Sequence, residues 1–226
     1  MEPVTTNIFC LIGKPGSGRE TILKSVMNDT EFVEKNKLNK FIYGTTRPMN
    51  SYDIDGESYH FMTNEEFESL DPTEIIESRS YDNIYTNETY YYFTLKEYIK
   101  FGFNYIGKIS TFQYSELKKW SLISQLKNTM VRVNIFPIII NASIFEREKR
   151  MMNKASIDED VYNMCSKLLT EKYEFKLVVE QNPEIIDYMN PNTCILDNGK
   201  SGKQNIALLT NKVEKFISNR IIMQGL

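Results

Sequence analysis

Gly13-Lys14-Pro15-Gly16-Ser17-Gly18-Arg19-Glu20-Thr21 is the stretch on which the reading of this chain turns. Before it lies Asn7-Ile8-Phe9-Cys10-Leu11-Ile12, a short apolar run of the length of a buried strand. After it, residues 20–27 read as a helix. A glycine turn between a strand and a helix aims backbone N–H groups and the helix N-terminus at one spot, which makes an anion site. The phosphate-loop spacing GxxxxGK[ST] is met at Gly13 and Gly18, and departs at the next two positions. Arg19 stands where lysine belongs, keeping the charge on a larger planar fork. Glu20 stands where a magnesium-binding hydroxyl belongs, and its carboxylate repels phosphates unless a metal lies between. Two remedies are open: Glu20 ligates Mg2+ itself, or Thr21 supplies the hydroxyl. A plain glycine turn with no ligand is the other reading. A second fragment, Gly199-Lys200-Ser201, follows the turn pair Asp197-Asn198 without a matching earlier glycine, and reads as a turn.

Composition narrows the chemistry. The chain has 226 residues, with 27 Lys+Arg against 30 Asp+Glu and a net charge of −3. That length predicts one domain, or a core with a small insertion. The single histidine, His60, excludes a His-pair metal site and disfavours a His-based triad. Cys10, Cys165 and Cys194 are scattered, with no CxxC pair, which argues against a zinc knuckle or a disulfide framework. No apolar run reaches the ~18 residues of a membrane span, and MEPVTTN lacks a basic leader. A cytoplasmic protein without membrane contacts is expected. The balanced charge and the lack of a basic stripe interleaved with aromatics disfavour nucleic acid as a partner.

Short β-type runs alternate with longer helical patterns, which predicts α/β architecture. Further strands are expected at 40–43, 104–109 and 136–140, with 176–179 and 193–196 competing for the last. Thr63-x-x-Glu66, Thr94-x-x-Glu97 and Ser143-x-x-Glu146 each predict a helix start, Gly102 closing the second. Helices are also expected at 158–171 and 205–220. The tyrosine-rich residues 81–93 read either as an exposed segment of biased composition or as an aromatic platform.

Downstream of the loop come Tyr43-Gly44-Thr45-Thr46-Arg47-Pro48 and Asp55-Gly56-Glu57-Ser58-Tyr59-His60-Phe61. These resemble the nucleoside-monophosphate-binding segment of guanylate kinases, with its TTRP run, DG and spaced Tyr and Phe. The similarity continues through Glu65-Glu66-Phe67, Ile75-Ile76-Glu77 and Asn83-x-Tyr85, and Asn141 to Arg150 resembles the segment leading into the family's lid.

The resemblance implies a P-loop kinase core with a parallel sheet flanked by helices (about 1–40, 95–142 and 174–226). It adds a small mixed α/β monophosphate-binding insertion (about 41–94) and a helical lid (about 143–173). ATP is the implied phosphoryl donor, held by residues 13–21, and Mg2+ the implied metal, at Glu20 or Thr21. Arg47, Tyr59, Tyr85 and Thr45 are the implied monophosphate ligands, and Glu77 the acceptor for guanine N–H groups. Arg19, Arg147 and Arg150, with Lys149 and Lys154 nearby, are implied as charge neutralisers for transfer.

The departures matter as much. Tyr43 replaces a guanine-contacting serine, Asn50 a second phosphate-gripping arginine, and Lys108-Ile109-Ser110 an acidic strand end. Arg79 is placed either to replace the lost arginine or to pair with an acid. The sequence supports three readings: a kinase transferring the ATP γ-phosphoryl group to (d)GMP or a related monophosphate, a catalytically impaired module binding a nucleotide or a protein partner, and a kinase for another phosphorylated small molecule.

Overall fold

The Val4–Ile12 strand (β1) is the middle strand of a five-stranded sheet, and its last seven residues are all buried. The structure is a computed structural model that describes residues 2–83, 87–153, 191–199 and 203–224. β1 pairs in parallel with Asn104–Lys108 (β7) on one side and Val131–Asn141 (β8) on the other. Leu38–Lys40 (β2) and Cys194–Asp197 (β9) extend the sheet outward, again in parallel, in the order β2-β7-β1-β8-β9. A parallel sheet covered on both faces needs apolar residues at successive positions. That is why β1 reads as an unbroken run.

Alternate β1 residues feed two cores. Phe9 and Leu11 pack with Ile22, Leu23 and Val26 of Arg19–Met27 (α1), and with Leu209, Val213 and Ile217 of Lys203–Gln224 (α6). Ile8, Cys10 and Ile12 pack with Tyr114 and Leu117 of Thr111–Lys127 (α4). Thr30–Lys35 (α2) connects α1 to β2, capped by Asp29. Ile144–Met152 (α5) follows β8, its Ser143 cap accepting from the Glu146 N–H as the sequence predicts.

Residues 44–95 build a second sheet in the order β4-β3-β6-β5, from Gly44–Thr45 (β3), His60–Phe61 (β4), Ile75–Asn83 (β5) and Glu88–Leu95 (β6). Asn64–Glu68 (α3) begins at the predicted Thr63–Glu66 capping box. Most of the tyrosine-rich segment belongs to the antiparallel β5–β6 hairpin.

Two expectations are corrected. Thr94 does not cap a helix: it lies inside β6, its hydroxyl donates to Glu77, and only one 3-10 turn, Lys96–Tyr98, follows. The 17-residue α4 was not anticipated, although Ser110-x-x-Gln113 is a full capping box. The strand expected at 40–43 ends at Lys40. The helix expected at 158–171 and the strand at 176–179 lie outside the described residues, as do Cys165, Tyr85, Lys154, Lys200 and Ser201. No helix among the described residues is long and apolar enough to cross a membrane.

Candidate active site

The loop leaving β1 adopts the geometry of an anion cradle. Gly16 (φ +74°) and Gly18 (φ +101°) occupy left-handed backbone, and Gly18 caps α1 without a side-chain acceptor. Glycine brings no side chain to cap the first turn of α1, and helix N-termini of this kind are where anions bind. A Cβ on Gly13 would lie 2.5 Å from the Ile140 carbonyl, so β8 and the loop approach too closely for any other residue. The Ser17 hydroxyl is buried beneath the loop with no partner.

The loop is braced from behind. Arg147, only 6% exposed, donates to the Pro15 carbonyl at 3.3 Å. Arg150 donates to Gly16 O at 3.2 Å and to Asn198 O at 2.7 Å. The Asn198 amide donates to Ser17 O at 2.7 Å, while its oxygen accepts from Asn205 at 3.0 Å. The two arginines expected to meet the transferring phosphoryl group are thus engaged with loop carbonyls. In this arrangement they position the loop. Asn198 was missed because its neighbours in sequence read only as a turn.

Glu20, on the first turn of α1, forms ion pairs with Lys108 at the end of β7 and with Lys24 at 3.5 Å. Burial alone would raise its pKa, but the Lys108 and Lys24 ammonium groups outweigh that and hold the carboxyl below its ordinary value. Lys40, at the end of β2, feels both Glu20 and Lys108, and donates to the Glu57 carbonyl at 2.5 Å. Each Glu20 oxygen therefore faces an ammonium group. Thr21, the other expected metal ligand, is exposed. No group of three His, Cys, Asp or Glu that could hold a metal occurs among the described residues. Mg2+ at a phosphate site is held by one or two protein oxygens together with waters and phosphate oxygens. What matters is whether the carboxylate at the loop is free to bind it, and both Glu20 oxygens are already paired with ammonium groups. One carboxylate already surrounded by lysines does not fit Mg2+.

Opposite the loop, the second sheet presents a cluster of rings and guanidinium groups. The Tyr43 ring meets Tyr59 edge-on at 5.1 Å, and Tyr59 lies 6.1 Å from Tyr92. The Arg47 guanidinium sits 4.9 Å from the Tyr59 ring centroid, and Arg79 lies 5.8 Å from that of Tyr92. Burial pushes the Tyr43 and Tyr59 hydroxyls up, so both stay neutral at physiological pH, with Tyr59 donating to Tyr43. Arg79 and Arg19 both act electrostatically on Tyr43, and Lys108 on Tyr59. Charges on the phosphate loop and the β7 end therefore act on the rings of the second sheet, near the carboxyl end of the parallel strands, where open α/β sheets hold ligands.

Glu77 is 4% exposed, and its Oε1 accepts from Thr94 at 2.7 Å and from Gln113 at 3.1 Å. Its Oε2 is buried with no partner. Burial raises the pKa of this carboxyl despite those two hydrogen bonds. Gln113 serves twice, since its Oε1 also closes the α4 capping box by accepting from the Ser110 N–H. Thr45, expected as a monophosphate ligand, is wholly buried and instead donates to the Tyr91 carbonyl, so it fixes the backbone under Arg47. Arg47 itself pairs with Asp53, a partner that no spacing in the sequence singled out. A cavity of about 510 Å3 lined by Pro48, Asn64, Glu88 and Tyr90 shares with the expected ligands only Arg47.

The sequence model of the guanylate kinase family matches residues 5–187. No curated protein sequence matches the chain. Among solved structures, a guanylate kinase from Anaplasma phagocytophilum superposes with a TM-score of 0.54, covering 97% of this chain and 88% of its own, at 16% identity. At that identity the likeness is one of fold.

Proposed function

The chain belongs to the guanylate kinase family, and from that premise we propose that it takes (d)GMP or a related nucleoside monophosphate into the crevice between its two sheets. The family's activity makes this monophosphate the acceptor of the ATP γ-phosphoryl group. Glu77 carries the reading. A buried acceptor with no donor costs about 1–3 kcal/mol, and Glu77 Oε2 is such an acceptor. The adjacent N–H groups of guanine supply the missing donors. Arg47, Arg79 and the Tyr59 hydroxyl are the donors assigned to the monophosphate, with Tyr85 as a further candidate. Residues 41–94 are then the monophosphate-binding part, residues 143–173 the lid, and the 13–19 loop the ATP site of a cytoplasmic enzyme.

One observation favours a second reading, nucleotide binding without transfer. The Glu20–Lys108 pair stands where the family's magnesium ligands belong, and the donor set does not fit the metal. Titration calorimetry with GMP, dGMP, AMP, CMP and UMP, alongside a coupled assay of ADP release, separates the readings. Turnover of a monophosphate supports the kinase. Binding that depends on Glu77 without turnover supports the module, and no binding of any nucleotide defeats both.

A further inference from the structure

We propose that the Lys108 ammonium replaces a divalent cation at the phosphate loop, so that this chain binds nucleotide phosphates without magnesium. The inference deepens the reading of the loop as a phosphate site and rests on it. Lys108 ends β7, in register with Leu11 of β1, two residues before Gly13. That register carries its ammonium to Glu20, on the first turn after the loop. Lys24 reaches the same carboxylate from the next turn of α1, and Lys40, at the end of β2, interacts with it electrostatically.

Lys108 and Lys24 against the Glu20 carboxylate leave one net positive charge beside the cradle, with Lys40 and Glu57 as a further pair of opposite charges. Positive charge is thus delivered there by side chains. The same charges oppose a metal ion, because Lys108 holds the place beside Glu20 that the ion would occupy. Glu20 then acts as a positioning residue. It orients Lys108 and Lys24 toward the loop, and the lysines meet the phosphates. Lys108 also acts electrostatically on Tyr59, so its charge is felt on both sides of the crevice.

The test is titration calorimetry with ATP and with ADP, in excess EDTA and in excess MgCl2, on the full chain. Equal affinities within about twofold are expected. Binding that appears only with MgCl2 overturns this inference and leaves the proposed function standing, whereas no binding in either buffer overturns the inference together with the kinase reading and leaves monophosphate binding to its own titration. A Glu20→Ser/Lys108→Asp double variant restores an oxygen-rich set. It is expected to lose at least about tenfold in affinity in EDTA and to regain it with MgCl2. Affinity of that variant unchanged by EDTA overturns the proposal. Both side chains keep more than a third of their surface exposed, so folding should tolerate the exchange, and thermal melts verify it.

Discussion

Arg47 and Asp53 form an ion pair of 2.8 Å in which the Asp53 side chain keeps only 4% of its surface exposed. The Arg47 guanidinium holds the Asp53 carboxyl below its usual range. It also donates to the Pro48 carbonyl and lies over Tyr59 and Phe61, so its direction is set from four sides. A monophosphate bound at Arg47 as proposed would have to share these donors with Asp53. Asp53→Asn is therefore expected to tighten GMP binding by about threefold to tenfold, because a charge-assisted competitor becomes a neutral one. Calorimetry reads this directly, and weaker binding would make Asp53 an orienting group instead. The depressed pKa adds stability above the ordinary Asp value of 3.8, and that stability is lost as pH falls through the folded value. The melting difference between wild type and variant should accordingly narrow in strong acid.

Glu77 predicts the opposite pH signature. Its folded pKa is raised by burial from an ordinary value of 4.5, so the folded state holds the proton to higher pH than the unfolded chain. Stability is full below that ordinary value, falls as pH rises toward the folded value, and levels above it. Glu77→Gln removes the slope. It should melt above wild type at neutral pH, converge with it near pH 4, and bind guanine nucleotides at least about tenfold more weakly. Melts across pH, with calorimetry at one pH, test both halves.

Asn198 ties the β9 end to the phosphate loop through Ser17 O and to α6 through Asn205. Asn198→Ala leaves a buried carbonyl poorly satisfied and should cost about 1–3 kcal/mol in urea unfolding. ATP affinity should fall with it, since the loop loses a brace. An unchanged midpoint would remove Asn198 from that role.

Gly16 combines left-handed backbone with a close neighbour: an added Cβ would lie 2.7 Å from the Arg147 carbonyl. Gly16→Ala is expected to cost about 1–2 kcal/mol from the backbone alone, with the clash in addition. Denaturant midpoints and nucleotide affinity should both drop. Ala at Gly56, also at positive φ but with nothing within 4 Å, should show the backbone penalty without loss of affinity.

Legibility in the sequence followed the range of the interaction. The β1–loop–α1 unit, the α3 capping box and the Ser143 cap were readable because each is closed by hydrogen bonds within a few residues. The β5–β6 hairpin was not, because its rings are polar and aromatic together and its pairing masks the usual alternation. The Thr94 signal misled for a related reason: a buried carboxylate across the hairpin offered its hydroxyl a better partner than a helix N–H. Among the candidate site residues, Glu77 was singled out by its motif, whereas its partner Gln113 and the contacts of Asp53 and Asn198 were not.

The α/β order, the glycine turn after β1 and the residue types offered to the proposed phosphate and base were set along the chain. Those follow from hydrophobic periodicity, turn chemistry and motif spacing, which act locally along the chain. Only the tertiary structure decided how the charges are spent. Sheet order carried Lys108 and Lys40 to Glu20, the loop after β3 returned Asp53 to Arg47, and the β8–β9 edge brought Asn198 under the loop where Arg147 and Arg150 already hold it. Coulomb attraction and hydrogen bonding reward proximity in space, and for these residues the order of the strands set that proximity.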